Sequence, residues 1–129
     1  MSLQSFFNPQ SVAIVGASRE KGKVGYEVLV NMVNSGYEGR IFPVNRSADT
    51  IEGLKCYPDL EAIGETPELV IVIVPAKFVL DVMEQCVKVG TKAVIIITAG
   101  FKEVGAEGKK LEEEVVRVAR RGQIRVIGP

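Results

Sequence analysis

The chain has 129 residues, 47% hydrophobic and 25% charged, a globular balance suited to one domain around one core. Sixteen Lys plus Arg offset sixteen Asp plus Glu, so no net basic field gathers nucleic acid, and no apolar run approaches the roughly eighteen residues that span a bilayer. The chain contains no His, and Cys56 and Cys86 lack metal-ligand spacing, so no metal site is expected and both cysteines are expected to be reduced, small apolar residues.

The N-terminus lacks a basic region leading into an apolar signal core, so a soluble, cytoplasmic protein is expected, with neither nucleic acid nor membrane as partner. Val12 to Val15 is the first strand-like run. It ends in the small residues Gly16-Ala17-Ser18, and the polar stretch Arg19 to Gly25 leads into a helical pattern. Backbone N–H groups at a helix start favour a phosphate. Gly16 and Ala17 let a phosphate come close, and Ser18, Arg19, Lys21 and Lys23 stand within reach of its oxygens. The spacing is not the G-x-G-x-x-G of dinucleotide binding, because Gly22 and Gly25 are displaced along the chain. The same residues also read as a plain strand-to-helix turn.

Val24, Val28, Leu29 and Met32 form an apolar stripe for the first helix, and Ser35-Gly36 is its stop signal. Ile41 to Val44 is the second strand. It ends in Asn45 and Arg46, where an NAD site needs an acid for the ribose hydroxyls. A cation here suits a phosphorylated ribose, either NADP with its 2′-phosphate or coenzyme A with its 3′-phosphate, unless Arg46 is simply solvated. Between Arg46 and Pro67 only Leu60 to Ile63 reads as helical, and Ile51 to Tyr57 resembles an extended crossover.

Leu69 to Val74 is the third strand, ended by proline in Val74-Pro75-Ala76. Those three residues make a small wall against which adenine or a pantetheine arm would lie. Phe78, Val79, Val82, Met83, Cys86 and Val87 give the second helix, stopped by Gly90. Ala93 to Ile97 is the fourth strand and leads into Thr98-Ala99-Gly100-Phe101, where Gly100 permits close backbone approach. Leu111, Val115, Val118 and Ala119 carry the third helix, with Glu112 to Glu114 early, Arg120 and Arg121 late, and Gly122 as its stop. Arg125 to Ile127 is the last strand, and Gly128-Pro129 follows where a functional loop would begin. A piece of a longer protein is therefore expected.

Short apolar strands alternating with helices predict an α/β fold: a Rossmann-type doubly wound parallel sheet, a single domain of about five strands spanning residues 1–129. In such sheets the ligand lies beyond the carboxyl ends of the strands. None of those ends carries a carboxylate, with Glu20 and Glu103 lying further out, and no cysteine has a partner base. The domain reads as a binder without a catalytic residue.

Taken together, Asn8 to Ser18, Phe42-Pro43-Val44-Asn45, Val74-Pro75-Ala76 and Ile97 to Phe101 resemble the CoA-binding domain of the NDP-forming acyl-CoA synthetases. That family includes the ADP-forming acetate:CoA ligases and is related to the α chain of succinyl-CoA synthetase. The resemblance covers essentially the whole chain. It implies a domain that binds CoA or acyl-CoA in an enzyme interconverting acyl-CoA, ADP and phosphate with acid, CoA and ATP. The family's phosphorylated histidine would lie in a further domain, with an ATP-grasp subunit or domain as another partner. Carried over by position, Gly16, Ala17 and Ser18 would line the CoA nucleotide, with Lys21, Lys23 or Gly25 nearby. Asn45 and Arg46 would face the ribose and its phosphate. Val74, Pro75 and Ala76 would flank adenine or pantetheine, and Thr98, Ala99 and Gly100 would lie near the thiol end. A stand-alone CoA-binding protein and an NADP-binding oxidoreductase domain are the competing readings.

Overall fold

The computed structural model describes residues 8–97 and 106–128. In chain order its elements are β1 (Ser11–Val15), α1 (Val24–Asn34), β2 (Arg40–Val44), β3 (Thr50–Ile51), β4 (Leu54–Lys55), a 3-10 turn (Glu61–Ile63), β5 (Leu69–Val72), α2 (Ala76–Val89), β6 (Ala93–Ile96), α3 (Ala106–Arg121) and β7 (Arg125–Ile127). Five strands form one sheet in the order β2-β1-β5-β6-β7, every neighbouring pair parallel. This is the Rossmann-type α/β sheet expected from the alternating pattern.

The strands are apolar on both faces because both faces are covered. Ala13, Val15, Val70, Val72, Val94 and Ile96 pack with Val79, Met83 and Cys86 of α2 and Val115 and Val118 of α3. The alternate residues Val12, Ile14, Leu69, Ile71 and Ala93 pack with Leu29 of α1 and with Ala48, Ile51 and Cys56. Each fully buried Val, Leu or Ile is worth about 1.5–3 kcal/mol, so the two half-cores supply most of what holds the layers. Register follows: β1 aligns Val12 with Leu69 and Ile14 with Ile71, and a shift by one residue would exchange the two faces. Pro43 sits in β2, at the sheet's end, where its missing N–H is tolerated.

The segment expected as an extended crossover is a hairpin. β3 and β4 pair antiparallel through the two-residue turn Glu52-Gly53, both with positive φ (51° and 79°), the conformation of a type I′ turn. Tyr57 then runs beside Val44 as an isolated parallel bridge, donating its N–H to the Pro43 carbonyl and accepting from Asn45. Two helices start earlier than their apolar stripes indicate, α2 at Ala76 directly after Pro75 and α3 at Ala106. β5 and β6 end at Val72 and Ile96, slightly before the ends read from hydropathy.

The amino edge of the sheet is tied shut. Ser11 Oγ accepts the Glu68 N–H, Thr91 Oγ1 donates to the Pro67 carbonyl, and Arg40 makes a two-pronged pair with Glu65 at 3.1 and 2.9 Å. The carboxyl edge is where the sheet opens.

Candidate functional site

From β1 the chain passes to β2 on one side, and later returns to β5 on the other. Strand order therefore reverses between β1 and β5, which leaves a crevice beyond their carboxyl ends. A cleft of about 270 Å3 opens there. One side is formed by Val15, Gly16 and Val44 to Arg46, and the other by Val74, Pro75 and the face of α2 that carries Phe78, Asp81, Val82 and Gln85. Pro58 and Asp59 close one end.

The loop after β1 is built by backbone crowding. Gly16 has φ +98°, and a Cβ there would lie 2.0 Å from the Ile73 carbonyl oxygen. Gly25 is buried in the first turn of α1, and its Cβ would lie 2.0 Å from the Gly16 carbonyl oxygen. Gly25 thus lets helix and loop pack closely, the work that a dinucleotide loop gives its third glycine, done here from a displaced position. Ser18 Oγ accepts the Glu20 N–H (3.0 Å), which shapes the turn. Lys23 is the N-cap of α1 without a side-chain cap, so no side chain there takes up the first-turn amides. Lys21 and Lys23 are exposed, and Lys23 pairs loosely with Glu20 at 3.9 Å.

The residues named from sequence divide into three groups. Gly16, Asn45, Arg46, Val74 and Pro75 line the cleft together. Ala17, Ser18, Lys21, Lys23, Gly25 and Ala76 lie around it without lining it. Ala17 is 1% exposed in the α1-side core, and Ala76 packs against the α2-side core, so their side chains support the loops. Thr98, Ala99, Gly100 and Phe101 fall outside the described residues. The small-residue reading does not separate side chains that face the cleft from those that face the core.

The other eight lining residues were not among the site residues read from sequence: Val15, Val44, Pro58, Asp59, Phe78, Asp81, Val82 and Gln85. Phe78, Asp81, Val82 and Gln85 follow helical i, i+3, i+4, i+7 spacing, so one stripe of α2 faces the cleft. That stripe was readable, but the apolar members were assigned wholly to the core. Phe78 is 41% exposed. The Arg46 guanidinium lies 6.0 Å and the Lys77 ammonium 5.1 Å from its ring centroid, so two cations gather about one aromatic surface. The acids have protein partners: Asp59 accepts the Ala62 N–H at 2.9 Å, and Asp81 accepts from Gln85 Nε2 at 3.1 Å. Gln85 in turn accepts the Leu60 N–H. The charged residues that line the cleft are thus one cation, Arg46, and two carboxylates, Asp59 and Asp81, both of which are hydrogen-bonded within the protein.

Among the described residues no group of His, Cys, Asp and Glu is arranged to hold a metal ion, and no helix is long and apolar enough to cross a membrane.

Three comparisons bear on this geometry. The chain is 44% identical over 133 residues to the acetate–CoA ligase (ADP-forming) I subunit alpha of Pyrococcus furiosus, an alignment covering 100% of this chain and 29% of that protein. It is 36% identical over 129 residues to the 4-hydroxybutyrate–CoA ligase (ADP-forming) of Nitrosopumilus maritimus, covering 100% of this chain and 18% of that protein. The apo structure of the dinucleotide forming acetyl-coenzyme A synthetase 1 of Ca. Korarchaeum cryptofilum superposes with a TM-score of 0.94 at 41% identity, over 99% of this chain and 28% of that one. The chain thus spans less than a third of the length of these relatives. The CoA binding domain family matches residues 10–129, and the chain belongs to that family.

Proposed function

We propose that the cleft between β1 and β5 binds the nucleotide end of coenzyme A. The observation that carries this is the cleft at the switch point, where Gly16 and Arg46 come together with Phe78, Pro75 and Val74 around one opening. Adenine lies on the Phe78 and Pro75 surface, because a flat π-system gains most from an exposed aromatic ring. Phosphates lie toward Arg46 and the β1 loop, away from Asp59 and Asp81, since a like charge beside a phosphate is repelled. Arg46 is the partner for a phosphate on the ribose, its planar guanidinium offering two parallel donors to two phosphate oxygens. A cleft of about 270 Å3 is just below the usual range for small-molecule sites, about 300–1,000 Å3, and suits one part of a CoA molecule whose remainder crosses the strand ends.

In this reading the chain contributes binding and orientation to an enzyme interconverting acyl-CoA, ADP and phosphate with carboxylic acid, CoA and ATP. The phosphorylated histidine of that chemistry belongs to another domain, because this sequence contains none. Val74 and Pro75 border the start of the pantetheine arm, and Thr98, Ala99 and Gly100 are assigned to its thiol end from the sequence resemblance alone.

Calorimetric titration with CoA, dephospho-CoA, NADPH and NADH tests the assignment, with thermal melting as a second readout. CoA is expected to bind and raise the melting temperature, as a ligand that binds only the folded state must, adding about 2.7 kcal/mol at a hundred times its Kd. Tight NADPH binding without CoA binding would show a dinucleotide site instead.

A further inference from the structure

We propose that Asn45 is a positioning residue: its side-chain oxygen closes the turn that holds Arg46 in place for the ribose phosphate, and its amide nitrogen ties that turn to the loop after β1, which supports the cleft as a whole. The proposal rests on the reading of the cleft as the CoA-nucleotide site. The hydrogen bonds of Asn45 carry it. Nδ2 donates to the Ala17 carbonyl at 2.8 Å, which fastens the side chain to the β1 loop. Oδ1 accepts the backbone N–H of Ser47 at 2.8 Å, the N–H of Ala48 at 3.1 Å and the Ser47 hydroxyl at 3.2 Å. The Asn45 N–H donates to the Tyr57 carbonyl at 2.9 Å, and its own carbonyl faces Cys56 Sγ at 3.8 Å.

An amide oxygen has two lone pairs and here already meets three donors, so no acceptor capacity is left for a ribose hydroxyl. What the side chain does is close a turn around Arg46. Ala48, at the far end of that turn, is 9% exposed in the α1-side core, so the turn is anchored at both ends while the Arg46 side chain projects to the cleft. Only Asn meets both demands at this position. Aspartate would keep the acceptor for Ser47 and Ala48 but would set a carboxylate oxygen against the Ala17 carbonyl, and alanine would lose both bonds.

The test compares Kd values for CoA and dephospho-CoA, by calorimetry, in the unaltered chain and in R46A, N45A and N45D. The unaltered chain is expected to prefer CoA by about tenfold to a hundredfold, the worth of a hydrogen bond between charged groups. R46A removes that preference. N45A is expected to remove it likewise, and N45A/R46A to lower it no further than R46A alone, because both act on one contact. N45D is expected to weaken both ligands together, by about tenfold, and to keep their ratio, since the turn survives while the bond to the β1 loop is lost. A merely structural role would leave the ratio unmoved in N45A. N45A keeping the preference that R46A loses overturns the role of Asn45 alone, whereas R46A keeping the preference overturns the underlying placement of the phosphate. Should N45A fail to fold, N45D decides: unchanged or tighter CoA binding, as a direct ribose contact would give, overturns the proposal.

Discussion

At the scale of single residues the β1 loop turns on two glycines whose roles follow from what a methyl group would strike. In Gly25→Ala the added Cβ would lie 2.0 Å from the Gly16 carbonyl oxygen, a backbone atom with no rotamer to escape into. Alanine favours a helix interior over glycine by about 1 kcal/mol, and less in the first turn, while overpacking costs about 1–3 kcal/mol. The clash therefore wins. Gly25→Ala is expected to lose about 1–2 kcal/mol, read as a lower urea midpoint with an unchanged slope, together with weaker CoA binding. A midpoint equal to that of the unaltered chain would show that helix and loop separate without cost. The sequence shows a glycine where the third member of a phosphate loop is absent, and Gly25 reads there as a neighbour of the nucleotide. Spacing reveals that no side chain is wanted; only the fold shows that the Gly16 carbonyl, rather than a ligand, occupies the space.

At the scale of elements, α2 and α3 end with the same hydrogen-bond pattern but different residues. After α2, Thr91 donates to the Cys86 carbonyl and Gly90 takes the left-handed position at φ 87°. After α3, Ile124 donates to the Ala119 carbonyl and Gln123 to that of Arg120, with Gln123 left-handed at φ 55°. The stop signal read at Gly122 lies one residue early. Gly122 is small for another reason, since a Cβ there would come within 2.7 Å of Val87 Cγ2 on α2. A left-handed L-residue costs about 1–2 kcal/mol, whereas glycine costs about 0.5–1 kcal/mol in chain entropy. Gln123→Gly is thus expected to stabilise the chain by about 0.5–1 kcal/mol, seen as a raised melting temperature, and a fall would mean that the glutamine side chain contributes more than its backbone costs. Helix and strand identities were legible because each carries its own period and terminal residues. The β3–β4 hairpin was not, because two-residue strands are too short to show alternation, although Glu52-Gly53 is a turn pair of the kind that closes such hairpins.

At the scale of the whole molecule, the parallel sheet was readable from strands apolar on both faces, while the composition of the cleft depended on which side chains the crossovers bring together from distant segments. Asp59 and Asp81 are 22 residues apart and belong to different elements, so no local pattern joins them. The same assembly separates the two cysteines. Cys86 is fully buried between α2 and the sheet, where burial pushes its thiol up to about 12. Cys56 is buried in the other half-core beside the short hairpin, its thiol also raised chiefly by desolvation. Neither offers a thiolate at neutral pH in the folded chain. Cys56 needs only the two-residue strands to part, a local opening, whereas Cys86 needs the α2 side of the core to come apart. Iodoacetamide at pH 7.5, followed by mass spectrometry, is expected to label Cys56 well before Cys86. If the cleft binds CoA, global opening is suppressed by the factor 1 + [CoA]/Kd, about a hundredfold at a hundred times Kd, and labelling of Cys86 slows by the same factor. Equal Cys86 rates with and without saturating CoA would mean that helix α2 leaves the sheet without disturbing the ligand. The cleft would then have to be supported by the β1 and β2 loops alone, contrary to the place of Phe78, Asp81 and Gln85 on its wall.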